Sequence, residues 1–308
     1  MPDRARGKPP RVSVVIPTRN RAEWLARAVG SVLAQTWTDF ELLIVDDHST
    51  DETPEAIARF ADARIRSFRH ERNFGQSKAL NTGIEHARGE YVAFLDDDDA
   101  WLPAKLAAQV ALLDAAPPSV GLVYCWHDVL DEASRERIGT TQMTLRGDIL
   151  EHVLALHVPT SPSSWLVRGL AAHSVGGFDE RLQQANDVDF ASRICARGWH
   201  VDFVAQVALL RYRHGRGQMT DRTPENFAAH AGMVRTHLVR FARSLRARPA
   251  AHARVHLWLA RYELPYGSRR AALASLATAF RLDPIGMCRR FRYWRLATGM
   301  LATLIHRP

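Results

Sequence analysis

Three short, mostly apolar runs constrain this chain most, because each stops abruptly in a polar loop. "VSVVI" (12–16) runs into "PTRN", "ELLIV" (41–45) into "DDHSTD", and "YVAFL" (91–95) into four consecutive aspartates. Five residues, at least four of them apolar and without sustained polar alternation, read as a strand buried on both faces. "VGLVYCW" (120–126) is a fourth such run. Between the runs the period becomes helical. Leu25, Val29, Val32 and Leu33 share one face, Thr53–Phe60 and Gln76–Ala87 follow suit, and Pro103 suits the first position of a helix reaching about Ala115. Strands alternating with helices predict an α/β domain with a mostly parallel central sheet and helices on both faces. Ligands bind such sheets at the C-terminal ends of the strands. The polar loops fall at those ends.

From about Pro224 the strand signals stop. Helical patterns follow over roughly 224–245, 251–263, 268–281 and 287–305, which predicts a helical C-terminal appendage. Charge changes at the same place. From Asp221 onward there are 16 Arg and no Lys against four acids, a balance of +12, so residues 1–220 carry +8 − 12 = −4. The expected organisation is a disordered tail over 1–10, a mildly acidic domain over 11–223 and a basic helical appendage over 224–308.

Composition excludes several classes. Three widely spaced cysteines support neither a disulfide framework nor a cysteine-based zinc site. The N-terminal "MPDRARGKPP" has no apolar signal core, and the apolar run "LATGMLATLI" has ten residues, about half of what spans a bilayer. A cytoplasmic protein is expected, either free or peripheral on the inner face of the membrane. For the arginines and aromatics of "CRRFRYWRLATGMLATLI" two readings stand: a helix lying on anionic lipid, or a helix packed on its own domain with solvated arginines. No nucleic-acid-binding motif accompanies the basic region.

The aspartates carry the chemistry. Four adjacent carboxylates repel one another, and one or two would suffice to favour the start of the helix near Pro103. A hard divalent cation, Mg²⁺ or Mn²⁺, held by oxygen ligands would offset the repulsion and bring an anionic diphosphate with it. In "IVDDHSTDET" two roles are open for Asp47: accepting a uracil imide N–H or ribose hydroxyl, or serving an acidic turn that caps the next helix.

Four blocks, "VSVVIPTRNR", "SVLAQTWTDFELLIVDDHSTDET", "NFGQSKALNTGIEHARGEYVAFLDDDDAWLPAKL" and "GGFDERLQQANDVDFASRICARGW", resemble family 2 glycosyltransferases in order and spacing over about residues 11–215. The resemblance implies a GT-A fold, an inverting transfer from a nucleotide-diphosphate-sugar to a hydroxyl, and a divalent metal. It implies that Pro17, Thr18 and Asn20 line the nucleoside, and that Asp47 contacts uracil, which favours a uridine donor. It likewise gives Asp96 and Asp97 nucleotide-side roles, and makes Asp98 the metal ligand. Asp187 matches the base that deprotonates the acceptor hydroxyl; Asn186 stands where the family usually has Glu. In "LLRYRHGRGQMT" the resemblance offers His214 as a metal ligand and Arg211 or Arg213 as a phosphate partner, and Lys78 lies where a cation could approach the diphosphate. The expected acceptor is a glycan or a lipid-linked molecule in polysaccharide or cell-envelope synthesis. Two rivals remain. A sugar-1-phosphate nucleotidyltransferase would want a glycine-rich loop after the first strand, which "IPTRNR" lacks; a degenerate, non-catalytic scaffold would have lost more than Asn186.

Overall fold

The structure is a computed structural model, and it describes residues 8–159, 161–182, 184–215 and 223–289. Most of the expected N-terminal tail and nearly all of the helix expected over 287–305 lie outside the described residues. The chain forms two compact units. The first comprises residues up to Ile149, Pro159–Arg181 and Arg193–His214; the second comprises Leu150–Val158, Leu182–Ser192 and the chain from Gly215.

The first unit holds all the described strands. In chain order it begins β1 (Val12–Thr18), α1 (Ala22–Leu33), β2 (Phe40–Asp46), α2 (Thr53–Ala58), β3 (Ile65–Arg69), α3 (Gln76–His86) and β4 (Tyr91–Phe94). It continues with β5 (Ala100–Trp101), α4 (Lys105–Ala115), β6 (Val120–Asp131) and β7 (Arg137–Thr141). After α5 (Leu150–Leu154), which belongs to the second unit, come β8 (Leu166–Arg168), α6 (Gly169–Ser174), α7 (Asn186–Ala196), which belongs to the second unit up to Ser192, and β9 (His200–Arg213). The sheet order is β3-β2-β1-β4-β8-β6-β9-β5, with β7 paired to β6.

The parallel arrangement that the alternating pattern predicts holds for β3-β2-β1-β4 and again for β6 with β9. Antiparallel β8 joins the two parts, and β5 and β7 pair antiparallel at β9 and β6, so the sheet is mixed. These three strands are too short or too polar to announce themselves: β8 has three residues, β5 two, and β7 reads "RIGTT".

Every residue of β1 is buried, as a mostly apolar run requires, and its two faces meet different helices. Val12, Val14 and Ile16 join Leu25, Val29 and Val32 of α1 and Leu106, Val110 and Leu113 of α4 in one core. Val15 points the other way, against α3: a Cβ added to Gly83 would lie 2.2 Å from Val15 Cγ1, so only glycine lets that helix approach the strand. Helices on both faces leave the ends of the strands as the accessible part. That is where the acidic loop emerges.

In the second unit, helices α8 (Pro224–Arg240), α9 (Ala242–Arg246), α10 (Pro249–Tyr266), α11 (Arg269–Leu282) and α12 (Pro284–Arg289) follow one another. The sequence sets their starts. Thr223 Oγ1 accepts from Asn226 N at 3.2 Å with Pro224 behind it, and Ser268 Oγ accepts from Ala271 N at 3.2 Å. Val234, Leu245, Ala251 and Val255 are fully buried in a core shared by α8, α9 and α10. No helix among the described residues is long and apolar enough to cross a membrane.

Candidate active site

The loops that leave β1, β2 and β4 are bonded to one another. Thr18 ends β1; its carbonyl accepts from Asp47 N at 2.9 Å and its hydroxyl donates to Asp97 Oδ2 at 2.7 Å. Pro17 precedes it in the strand, in register with Val45. Asn20 takes a left-handed conformation (φ 54°), which asparagine tolerates, and its Oδ1 accepts from Thr50 N at 2.8 Å. Arg21 N donates to Thr53 Oγ1 at 3.0 Å, tying the start of α1 to the start of α2.

Asp47 is buried and heavily engaged. Its Oδ1 meets Phe74 N at 2.9 Å and His70 Nδ1 at 2.7 Å, and its Oδ2 accepts from Gly75 N at 2.7 Å. A carboxylate has about four lone-pair positions, so roughly one is left for a ligand. Asp47 thereby fastens residues 70–75, where Gly75 adopts a φ of 92°. This anchoring role was not visible in the sequence.

After β4 the four aspartates form a tight turn, with Asp99 N donating to Asp96 O at 3.1 Å. A turn of this kind brings its first and last residues together. Asp96, Asp98 and Asp99 accordingly each offer an oxygen, and the three oxygens lie within 4.8 Å of one another. Asp97 points instead to Thr18. Buried, and beside the charge of Asp98, its carboxyl is pushed up to about 7. Burial, opposed by Arg211, also raises the Asp99 carboxyl well above the usual range.

The turn is held from several sides. Gln76 Nε2 donates to Asp96 Oδ1 at 3.0 Å and Ser163 Oγ accepts from Asp96 N at 3.1 Å. Arg27 Nη2 donates to Asp98 O at 2.8 Å while its Nη1 takes both carboxylate oxygens of Glu132, at 2.8 and 3.0 Å. Arg21 Nη1 lies 2.9 Å from Asp98 Oδ2, and His214 Nε2 lies 3.0 Å from the same oxygen. The His214 ring stacks on Trp24 at 4.2 Å, with only 2% of its side chain exposed.

These donors suit a hard divalent cation. Three carboxylates converge, and Asp99 Oδ2 is buried without a hydrogen bond, its nearest cation being Arg211 Nε at 3.7 Å. An all-oxygen set supplemented by one imidazole suits Mg²⁺ or Mn²⁺. Asp99 belongs to the group because the turn brings it back to Asp96. Arg21, Gln76 and Arg27 were missed altogether, since a lone arginine or glutamine in a helix carries no motif.

The other expected residues are distributed differently. Lys78 Nζ lies 3.6 Å from Glu85 and 3.5 Å from Glu180. Arg213 is exposed, and residues 216–220 of the loop beyond it are outside the described residues. Asp187 belongs to the second unit, in the first turn of α7, beside buried Asn186.

A family model, "Glycosyl transferase family 2", matches residues 13–164, which include the β1, β2 and β4 loops just described. Residues 13–164 belong to glycosyl transferase family 2. An uncharacterized glycosyltransferase of Rickettsia prowazekii is 30% identical over 188 residues, covering 58% of this chain and 57% of that protein. The Escherichia coli UDP-Glc:alpha-D-GlcNAc-diphosphoundecaprenol beta-1,3-glucosyltransferase WfgD is 37% identical over 102 residues, covering 33% of this chain and 40% of that protein. The chain thus spans little more than half the length of such curated relatives, or less. The mannosyltransferase PcManGT from Pyrobaculum calidifontis, solved with GDP-Man and Mn²⁺, superposes with a TM-score of 0.61 at 21% identity, covering 97% of this chain and 87% of that one. The GT-A fold expected from the sequence blocks is the fold observed: a mixed α/β sheet with helices, followed by α8–α12.

Proposed function

We propose that the protein transfers a sugar, with inversion, from a nucleotide-diphosphate-sugar to a hydroxyl of a glycan or lipid-linked acceptor, with Mg²⁺ or Mn²⁺ as cofactor. The observation that carries this reading is the acidic turn: three carboxylates within 4.8 Å at the ends of the strands, one with a buried oxygen lacking a hydrogen bond. A role in polysaccharide or cell-envelope glycan synthesis is supported by the printed activity of the E. coli relative, which acts on a diphosphoundecaprenol-linked sugar. A uridine donor is favoured by that relative and by Asp47; the GDP-Man in PcManGT shows that the fold also takes guanosine.

In this reading Pro17, Thr18 and Asn20 border the nucleoside, and Asp47 offers its remaining acceptor position to the base. Asp96 and Asp97 lie on the nucleotide side, and Asp98 and Asp99, with His214, are ligands for the cation. When bound, the cation would offset carboxylate repulsion and stabilise charge on the departing diphosphate. Arg211, 3.7 Å from Asp99, adds fixed positive charge beside the ligands. Asp187 takes the proton from the acceptor hydroxyl, and a single displacement with one base inverts the anomeric centre. Residues 11–223 form the transferase domain and 224–308 a basic appendage, in a protein that works in the cytoplasm or on the inner face of the membrane.

A thermal-shift screen of nucleoside diphosphates and nucleotide-sugars, with and without Mn²⁺, tests the reading. A shift that needs both nucleotide and metal is expected; no shift with any nucleotide rejects it. Asp187→Asn should keep that shift while transfer falls about 10²–10⁴-fold, the usual contribution of a general base. Full transfer by this variant would assign the base elsewhere.

A further inference from the structure

Asp98 Oδ2, an oxygen of the acidic turn, is bonded to a cation of the protein's own. Arg21 Nη1 lies 2.9 Å from Asp98 Oδ2, 3.9 Å from Asp97 Oδ1 and 3.4 Å from His214 Nε2. Its guanidinium sits over the Trp24 ring, 5.0 Å from the centroid, and Trp24 in turn stacks on His214. The side chain is 22% exposed, so the pairing is largely shielded from solvent. Arg21 begins α1, with its backbone fixed by Thr53, while the guanidinium lies at the end of a long, rotatable stem.

A guanidinium keeps its charge at every relevant pH and fits carboxylate and phosphate oxygens equally well. A divalent ion and Arg21 cannot share Asp98 Oδ2 without facing each other as like charges in a poorly solvated site. Binding the ion there requires the arginine to leave. A diphosphate arriving with the ion offers it new oxygens of the same geometry.

We propose that Arg21 is an internal counter-cation: it neutralises the acidic turn before substrate arrives, then exchanges Asp98 for the donor's diphosphate. The inference rests on the transferase reading above and adds the order in which charge is traded. Metal alone binds weakly because it must displace a cation, and nucleotide alone binds weakly because the arginine is engaged. Together they bind with positive coupling, which by linkage is the same seen from either ligand.

The test is calorimetric titration of the full chain with Mn²⁺ alone, and with Mn²⁺ in the presence of saturating UDP or GDP. In the parent protein, nucleoside diphosphate should tighten Mn²⁺ binding by about tenfold or more, within the usual range of such coupling. Arg21→Met should bind Mn²⁺ alone about tenfold more tightly, and most of the tightening by nucleotide should disappear. Arg21→Lys keeps the charge but loses the fork, so it should bind free Mn²⁺ nearly as weakly as the parent while showing reduced coupling. Should Arg21→Met not fold, as judged by its circular dichroism, Arg21→Lys decides the matter: coupling equal to the parent's overturns the proposal. So does an Arg21→Met variant that binds free Mn²⁺ no more tightly than the parent. If the parent binds no Mn²⁺ even with nucleotide present, the metal-dependent reading itself fails and takes the inference with it. Binding that is intact but indifferent to Arg21 removes the inference alone.

Discussion

The two units bury charge in opposite ways. In the second, the buried charged groups are paired one to one: Asp189 bonds Arg240, Glu263 bonds Arg235 through one oxygen, and His237 Nε2 meets Leu154 O at 3.0 Å. In the first, buried carboxylates are gathered against one another, and burial with mutual repulsion drives Asp97 and Asp99 toward protonation. Paired burial organises a fold. Crowded burial is tolerated when something outside the chain relieves it, and native proteins hold such strain mainly where they bind or react. The contrast separates the acidic turn, where carboxylates crowd together, from the Asp189–Arg240 and Glu263–Arg235 pairs, which act as structural ties.

The largest effect should come from emptying the crowded side. Asp98→Ala is expected to abolish Mn²⁺-dependent nucleotide binding and lower turnover by about 10³-fold, equivalent to several kcal/mol of lost charge stabilisation. Unchanged Mn²⁺-dependent turnover would break the comparison at its centre.

The paired side should respond in stability. Arg240→Ala leaves buried Asp189 without its arginine and should cost about 3 kcal/mol in urea unfolding, the usual result of breaking a buried pair. A variant as stable as the parent would show that this pairing does not organise the unit.

His237 sharpens the point through pH. Burial lowers its imidazole to about 4, so the folded chain keeps it neutral. Unfolded histidine titrates near 6.5. Between those values the unfolded chain binds the extra proton, so stability falls as pH drops through the window and loses nothing further below it. The full effect is about 3 kcal/mol. His127, also lowered to about 4, adds a contribution of the same sign from the first unit. His256, lowered to about 4, adds a further contribution of that sign. Replacing His237 with Gln should flatten the acid-side slope in denaturant melts between pH 4 and 6.5; an unaltered slope would remove His237 from the account.

The smallest effect carries the opposite sign. Asp99→Asn relieves repulsion in the turn and should raise stability by about 1 kcal/mol, the scale of a typical stabilising substitution, while weakening Mn²⁺ binding. Loss of stability would mean that Asp99 is held for packing with Arg211.

What the sequence disclosed follows from the same contrast. β1, β2, β4 and the start of β6 were legible because burial on both faces leaves a mostly apolar run, and α8, α10 and α11 because one face repeats at helical spacing. β8, with three residues, and β7, with one apolar residue, carry no such pattern; tertiary pairing makes them strands. The acidic turn was legible as chemistry through its four carboxylates. Its internal geometry was not, because only the Asp96–Asp99 hydrogen bond reveals which three converge. Arg21 is a different case: its significance lies in reaching across 77 positions to Asp98, a distance no local pattern encodes.

Arg27 has a practical consequence for anyone redesigning the β6–β7 hairpin. One nitrogen of its guanidinium holds the Asp98 carbonyl, the other grips Glu132 at the tip of the β6–β7 hairpin, and the flat group lies 3.7 Å from the centre of the Tyr212 ring. Grafting a foreign hairpin in place of residues 132–136 would therefore slacken the acidic turn as well, unless the graft keeps an acid at 132.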